Sequence, residues 1–265
     1  TNGINTVRGN AVYTIGRHSI NSKNPNKIFQ IYQKVLQDNS ISVKCCLAEY
    51  LKYMIRYNKK KTYDIFMALT KEYHPQIIQH SIECLFWLLN KNNYKDLKNH
   101  LNIGIEINNK HGHQPVSQYV GQVLMCIYCR GYYGSKEILE NGFKANENIK
   151  IGAIDFSARY LNDTSKKFSN KTKEIYLRFI NDESISVLRH YGWMFKDFKP
   201  NDFSVLYPII KEYSLSNASQ VDAKYYLDYL LECCNSEPEK CIELMENYQK
   251  LERPDIRYTM HEGAE

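Results

Sequence analysis

Two cysteines with the spacing of a known chemical motif, Cys126 and Cys129, lie near the middle of the sequence. Cys-x-x-Cys occurs in zinc sites and in thiol redox sites. A structural zinc ion needs about four ligands, however, and no second close pair with histidine lies nearby in the sequence. The run from Val123 to Tyr128 is strongly apolar. Because unpaired cysteine is among the most frequently buried residues, we interpret both thiols as reduced side chains in a helix core.

Histidine occurs in two short arrangements that are similar to metal-binding patterns. His111-Gly112-His113 offers two ligands, but the glycine and the proline that follows indicate a turn and the start of the next helix, which favours a polar loop. His261-Glu262 lacks the second histidine of the His-Glu-x-x-His motif. We therefore expect no metal site, no cofactor and no enzymatic activity in this sequence.

Two further sets of residues concern helix stability and packing rather than catalysis or metal binding. Asp155 and Arg159 stand four residues apart on a predicted helix, where opposite charges stabilise the helix by a few tenths of a kcal/mol. Trp87 and Trp193 lie in predicted helices, where core packing is the ordinary role and a hot spot for a partner is the alternative. Both tryptophans are candidate anchors. The 22 tyrosines suit helix packing and a recognition surface equally.

The composition favours a helical chain in a reducing compartment. Of 265 residues, 43% are hydrophobic, whereas only 12 are glycine and 7 are proline. These breakers fall mainly between apolar periodic segments, which disfavours a β-sandwich or barrel. No stretch approaches the roughly 18 apolar residues of a membrane span, and most cysteines occupy apolar helical positions. We expect a cytoplasmic protein without a membrane segment.

Apolar residues recur at helical spacing in about fourteen segments. The predicted helices are 5–19, 24–37, 40–56, 60–71, 75–90, 93–107, 114–129, 135–143, 147–162, 170–181, 183–197, 201–213, 218–233 and 237–250. Alternate helices recur at roughly 33 to 39 residues, the period of a helix-turn-helix repeat. A hairpin that cannot bury both apolar faces must stack on the next one. We therefore predict an all-α fold, a right-handed α-solenoid of about seven antiparallel helix pairs, forming a single domain over residues 1–265.

A local motif recurs near the start of the second helix of some predicted repeats. Three places carry it: Asp38 before Val43-Lys44, Asp182 before Val187-Leu188-Arg189, and Val7-Arg8 with Ala11 and Gly16 but without the Asp. The motif resembles that of the HEAT family of helical repeats, in which an Asp in the turn precedes Val-Arg or Val-Lys at the start of the second helix. Physically, the Asp can cap the helix and pair with a basic side chain of the neighbouring repeat. The units near residues 75, 114, 147 and 218 lack the full motif.

The opening run from Val7 to Gly16 fits a second helix with no first helix before it. It is similar to the repeat-rich parts of bacterial defence proteins of the STAND NTPase type, where a helical array senses a foreign protein for an effector. No Gly-x-x-x-x-Gly-Lys-Ser/Thr motif occurs in the sequence. We therefore expect a fragment of a larger protein, beginning mid-repeat, that recognises a partner protein. The resemblance implies an effector elsewhere in the polypeptide or assembly, a contact with an upstream part of the chain, and a role in antiviral defence.

Charge is distributed unevenly along the chain. Residues 1–132 hold 17 basic and 7 acidic side chains, whereas residues 133–265 hold 18 and 22. The basic half includes a candidate interaction patch: Arg56, Tyr57, Lys59, Lys60 and Lys61. Such a cluster can meet phosphate or an acidic protein surface, although a solvated turn is its ordinary role. The alternative function is nucleic-acid binding through the basic half, as in the HEAT-like DNA glycosylases. The acidic last third argues against nucleic acid along the whole length.

Overall fold

The computed structural model describes residues 6–111, 114–161 and 166–251. All regular structure in this part of the chain is helical, in fifteen α-helices and three short 3-10 segments. The α-helices are α1 Val7–Ser19, α2 Pro25–Val35, α3 Ile41–Leu51, α4 Lys59–Leu69, α5 Pro75–Leu88, α6 Tyr94–His111, α7 Gln114–Cys129, α8 Ser135–Ala145, α9 Glu147–Arg159, α10 Lys166–Arg178, α11 Ile185–Trp193, α12 Phe203–Ser214, α13 Asn217–Val221, α14 Lys224–Cys233 and α15 Pro238–Lys250. The 3-10 segments are Lys52–Met54, Met194–Lys196 and Pro200–Asp202. None of the described helices is both long enough and apolar enough to cross a bilayer.

Local sequence accounts for where many helices begin. Pro25, Pro75 and Pro238 stand at the first position of their helices, where the missing N–H is not needed and the fixed φ angle is helical. Asn24 and Asn58 cap α2 and α4 through side-chain oxygens that accept backbone N–H groups. The predicted starts of these four helices, α2, α4, α5 and α15, lie within one residue of the observed starts.

One predicted helix, 218–233, is wrong as a single element and is divided into α13 and α14. The break falls at Asp222, whose backbone is extended at φ −150° and ψ 93°. Its carbonyl accepts a hydrogen bond from the Tyr213 hydroxyl at 3.0 Å. The same oxygen lies so close to Gly192 that a Cβ there would approach it to 2.3 Å. A packing contact therefore overrides the helical pattern of the sequence.

The described residues form two compact units, one ending at Gly152 and the other beginning at Ala153. In the first unit, consecutive helices pack as hairpins, and alternate helices also pack side by side. Helix α1 contacts α3, α3 contacts α5, and α5 contacts α7, while α2 contacts α4 and α6 contacts α8. In this packed arrangement of helices, the side chains that are almost completely buried include Leu47, Leu51, Phe66, Ile78 and Leu85. The prediction of one repeat domain across residues 1–265 stays a prediction.

The turn motif around Asp38 joins neighbouring hairpins of the first unit. Asp38 Oδ1 accepts the backbone N–H of Ser40 at 2.8 Å, and Ser40 Oγ in turn caps α3. The helix cap is therefore the serine and not the aspartate. Asp38 Oδ2 lies 2.9 Å from an Arg8 guanidinium nitrogen on α1, which confirms the expected pairing of Asp38 with a basic residue on a neighbouring helix. Asp182 and Ser184 repeat the local arrangement, with an N–H to carboxylate distance of 3.0 Å.

The second unit has a core rich in tyrosine. Phe195 lies with its ring centroid 4.8 Å from Tyr213, 5.2 Å from Tyr226 and 5.8 Å from Tyr229. The buried hydroxyl of Tyr226 donates to the Leu244 carbonyl at 3.1 Å. A buried tyrosine is tolerated when its hydroxyl finds such a partner. Part of the large tyrosine population therefore serves packing.

All eight cysteines are free, and every one except Cys234 is buried. Burial raises the pKa of the Cys84 and Cys126 thiols above the ordinary value. A raised pKa keeps a thiol protonated and weakly nucleophilic at neutral pH. The interpretation of Cys126 and Cys129 as core residues is thus confirmed.

Close contact between alternate helices depends on Gly152 of α9. A Cβ at this position would lie 1.9 Å from the backbone oxygen of Gln118 on α7, and backbone cannot move aside as a flexible side chain can. We expect Gly152→Ala to lower the free energy of unfolding by about 2 kcal/mol. Chemical denaturation monitored by circular dichroism measures the effect.

Gly104 of α6 provides the matched control. Its added Cβ would meet Ile82 Cδ1 at 3.4 Å, an ordinary van der Waals distance. Since alanine favours the helix over glycine, Gly104→Ala should be neutral or stabilise by up to about 1 kcal/mol. Equal destabilisation by both substitutions would contradict the role given to the Gly152 contact.

The buried side chain of His100 is expected to make the stability of the first unit depend on pH. Its ring is buried, and Nε2 lies 2.8 Å from the Thr70 hydroxyl oxygen. That hydroxyl donates its proton to the Phe66 carbonyl, so Nε2 must donate to Thr70. Burial lowers the pKa of His100 from 6.5 to about 4.

Because the folded-state pKa lies below the unfolded one, protonation favours unfolding. We expect the stability of the wild type to fall as the pH drops from about 6.5 toward 4, starting before most carboxylates titrate. Denaturation curves at several pH values measure this slope. His100→Gln should lower stability at pH 7 but flatten the slope between pH 6.5 and 5. An unaltered slope in the His100 variant would contradict the assignment.

Candidate functional site

Arg56 and Tyr57 of the predicted basic patch are docked against the end of α1. An Arg56 guanidinium nitrogen lies 3.0 Å from the Tyr57 hydroxyl and 3.5 Å from the Ser19 carbonyl, and the Tyr57 hydroxyl lies 3.5 Å from the Ile20 carbonyl. The last carbonyls of a helix carry partial negative charge, which favours a cation there. These two residues therefore have a structural role that the sequence did not reveal.

Lys59, Lys60 and Lys61 form the exposed first turn of α4 rather than a loop. The Lys61 backbone N–H donates to Asn58 Oδ1 at 2.9 Å, and Lys61 Nζ lies 3.5 Å from Asn26 Oδ1. No acidic residue occurs in this first turn. The lysines therefore place positive charge at the positive end of the helix dipole, which is unfavourable. The five patch residues thus divide into a docked pair and an exposed helix start.

A different set of side chains forms a continuous surface on three stacked helices of the first unit, here called the α1–α3–α5 surface. Its members are exposed or half-buried, and they are linked by ring contacts, by polar contacts between helices or by a shared helix face. They are Tyr13, Arg17, Glu49, Tyr50, Lys52, Tyr53, His80, Glu83 and Trp87.

Tyrosine rings connect α1 to α3 on this surface. The rings of Tyr13 and Tyr50 are perpendicular with centroids 5.4 Å apart, and Tyr50 and Tyr53 lie 6.0 Å apart. Gly16 makes the first contact possible, since a Cβ there would lie 2.4 Å from Tyr50 Cγ. Burial, followed by the neighbouring Tyr13 hydroxyl, raises the pKa of Tyr50. The Tyr50 hydroxyl is therefore uncharged at neutral pH.

Polar contacts connect α3 and the 3-10 segment that follows it to α5. Lys52 Nζ contacts the Glu83 carboxylate, and Glu49 lies 3.0 Å from His80 Nδ1. The hydrogen bond from His80 lowers the pKa of Glu49. Burial opposes the charged form of Lys52, but the Glu83 carboxylate outweighs it and raises the pKa of Lys52. Both signs of charge therefore alternate along the surface.

The two tryptophans are not core residues, so the favoured core-packing interpretation is wrong for both. Trp87 is 56% exposed and Trp193 is 44% exposed. Trp87 follows Glu83 by four residues on α5 and so shares its face of the helix. Its ring meets Phe86 edge to face at 5.2 Å. Helical periodicity alone does not distinguish a buried face from a face that another helix leaves open.

Trp193 lies in a cleft of the second unit. The cleft is lined by Ile154, Asp155, Ala158, Arg159, His190, Trp193, Met194, Lys196, Asp197 and Phe198. Asp155 and Arg159 were predicted to pair along their helix. The side chain that lies against Asp155 is instead His190 on α11, whose Nδ1 is 3.4 Å from Asp155 Oδ1. The tertiary neighbour replaces the local one.

The histidine motifs contribute no described site. Gly112 and His113 lie outside the described residues, as do His261 and Glu262. Among the residues that the structure does describe, no group of three or more His, Cys, Asp or Glu side chains is placed to hold a metal ion.

Sequence reasoning missed the α1–α3–α5 surface because its contacts join residues that are far apart in the sequence. Glu49 and His80 are 31 residues apart, as are Lys52 and Glu83. These separations approach the predicted repeat period. A search for opposite charges one period apart would have found the pairs.

No protein-family model matches the chain, and no curated protein and no solved structure matches it significantly. The packed all-helical arrangement is compatible with a helical repeat. Functional interpretation therefore rests on the geometry of the described residues.

The docked and exposed members of the basic patch should respond differently to loss of charge. We expect Arg56→Gln to destabilise the first unit by about 1 kcal/mol, because it removes a cation from the carbonyl end of α1. Lys59→Gln should be neutral or stabilise by a few tenths of a kcal/mol, because it relieves repulsion at the start of α4. Urea denaturation at low and high salt measures both, and the difference should shrink in salt. Identical effects of the two variants would contradict this division.

Proposed function

We propose that this chain is a non-catalytic, HEAT-like helical-repeat scaffold that binds a partner protein through the α1–α3–α5 surface. The proposal includes an α-solenoid arrangement of antiparallel helix pairs, supported by the side-by-side packing of alternate helices in the first unit. It also draws on the Arg8 to Asp38 pairing between neighbouring hairpins, which the HEAT resemblance implies.

The single observation that carries the proposal is the exposed Trp87 beside a strip of tyrosines and paired charges. Protein interfaces are enriched in tyrosine, tryptophan and arginine, and a few such side chains supply most of the binding energy. Trp87 leaves 56% of its surface exposed at the end of this strip. A large, rigid side chain with an open face loses little conformational entropy when a partner covers it.

Charge on the same surface favours protein over nucleic acid. Affinity for nucleic acid comes mainly from cations that remain available for phosphate. Here Lys52 is paired with Glu83, and Glu49 adds a second carboxylate next to His80. A mixed surface of this kind fits a partner with complementary charges of both signs.

The wider role is part of the same proposal. Binding at this surface reports a partner to an effector elsewhere in the polypeptide or assembly, in antiviral defence, as the resemblance to STAND-type proteins implies. No Gly-x-x-x-x-Gly-Lys-Ser/Thr motif occurs in the sequence, so the proposal places nucleotide chemistry outside these residues.

Trp87→Ser and Tyr53→Ser test the surface. We expect each to reduce recovery of a specific partner at least tenfold in crosslinked pull-downs quantified by mass spectrometry, because loss of an interface hot spot costs about 2 kcal/mol or more. Tyr133→Ser is the matched control, since Tyr133 is 94% exposed but lies in the turn before α8, outside the surface. Circular dichroism confirms that each variant is folded.

Two outcomes would overturn the proposal. One is a partner whose recovery is equally reduced by the Tyr133 control, since that reduction would not come from the α1–α3–α5 surface. The other is tight binding of duplex or single-stranded DNA that weakens steeply across a salt series in a gel-shift assay. That second outcome would instead support the nucleic-acid alternative.

A further inference from the structure

The cleft of the second unit is built by the end of α11 and the 3-10 turn that follows it. Helix α11 ends at Trp193, and the segment Met194–Lys196 continues as a tighter turn. Met194 and Phe195 are buried and anchor this turn in the core. Trp193 and Lys196 are consequently the side chains that the turn leaves at the surface. The cleft encloses about 530 Å³, within the range of about 300 to 1,000 Å³ that small-molecule sites occupy.

Aromatic contacts hold the wall of the cleft in place. The rings of Trp193 and His190 have centroids 4.6 Å apart, and Lys196 Nζ lies 5.6 Å from the Trp193 ring. Lys196 Nζ also lies 4.1 Å from the Tyr225 ring centroid, a cation–π contact that fixes the ammonium. A site whose side chains are already ordered loses less entropy when a ligand binds.

The charges around Trp193 are incompletely neutralised. Asp155 faces His190 at 3.4 Å, and His190 Nδ1 is buried without a hydrogen-bond partner of good geometry. Arg159 is exposed at the cleft, and the described residues place no carboxylate within 4.0 Å of it or of Lys196. Asp197 contributes a further carboxylate to the lining. The cleft therefore combines two cations that have no acidic partner among the described residues with carboxylates that can accept hydrogen bonds.

We propose that this cleft binds a small molecule that joins a planar aromatic ring to an anionic group, with the ring against Trp193 and the anion between Arg159 and Lys196. A half-exposed indole offers a flat apolar face for stacking. A guanidinium and an ammonium together suit phosphate or carboxylate oxygens. Asp155 and Asp197 accept hydrogen bonds from amino or hydroxyl groups on the ring or on an attached sugar. This site is separate from the α1–α3–α5 surface.

Trp193 itself reports binding. The chain has two tryptophans, so Trp87→Phe leaves Trp193 as the only indole and its fluorescence follows the cleft alone. Adenosine monophosphate, with a phosphate, and orotate, with a carboxylate, probe the two kinds of anion in this variant. We expect saturable quenching by at least one, confirmed by calorimetry. Adenosine has the aromatic ring without the anionic group, and inorganic phosphate has the anion without the ring. Each should bind at least tenfold more weakly than adenosine monophosphate.

Arg159→Gln in the same background should weaken binding of the charged probe about tenfold or more, because a charge-assisted hydrogen bond is lost. Arg189→Gln is the matched control: Arg189 is exposed on α11 but does not line the cleft, and its loss should change affinity less than twofold. Binding of one probe identifies the anion class. The proposal is overturned if neither charged probe binds, if adenosine binds as tightly as its monophosphate, or if both arginine variants weaken binding equally.

Discussion

The structure depends on how closely neighbouring helices can approach each other. A helical hairpin with two apolar faces cannot bury both by itself, so alternate helices must pack side by side. At the tightest points a Cβ would collide with the next helix, at Gly16 against Tyr50 and at Gly152 against the Gln118 backbone. Once the helices stack at this distance, residues about 30 positions apart become neighbours. Both the Arg8 to Asp38 pair and the α1–α3–α5 surface result from that stacking.

The same constraint shapes the second unit with a different result. Close approach of Gly192 to the Asp222 carbonyl interrupts a segment that has a continuous helical pattern. The Tyr213 hydroxyl compensates by donating to that carbonyl. At the other side of Gly192, α11 tightens into a 3-10 turn whose buried residues leave Trp193 and Lys196 in the cleft. Close packing at one glycine thus coincides with the helix break at Asp222.

Tyrosine and charged side chains contribute to packing in this chain and also lie at its surface. In the second unit Tyr213 and Tyr226 are buried and their hydroxyls donate to backbone carbonyls. In the first unit Tyr13 and Tyr53 lie at the surface on stacked helices. Part of the basic excess of the first half is also used within the fold. Arg56 lies against the Ser19 carbonyl at the end of α1, and Lys52 pairs with Glu83. Net charge therefore overstates how much cationic surface is available to a partner.

The sequence by itself determined the helices, their approximate boundaries, the burial of the cysteines and the pairing of Asp38 with a basic residue. The helices and the cysteine burial follow from periodicity and from caps such as Asn58, which are local properties of the chain, whereas the pairing of Asp38 was expected from the turn motif. Only the tertiary structure decided that Trp87 and Trp193 are exposed, that Asp155 faces His190, and that the segment 218–233 breaks. Periodicity shows that a helix has an apolar face. Which parts of that face remain open depends on neighbours tens of residues away, whose distance is set by packing.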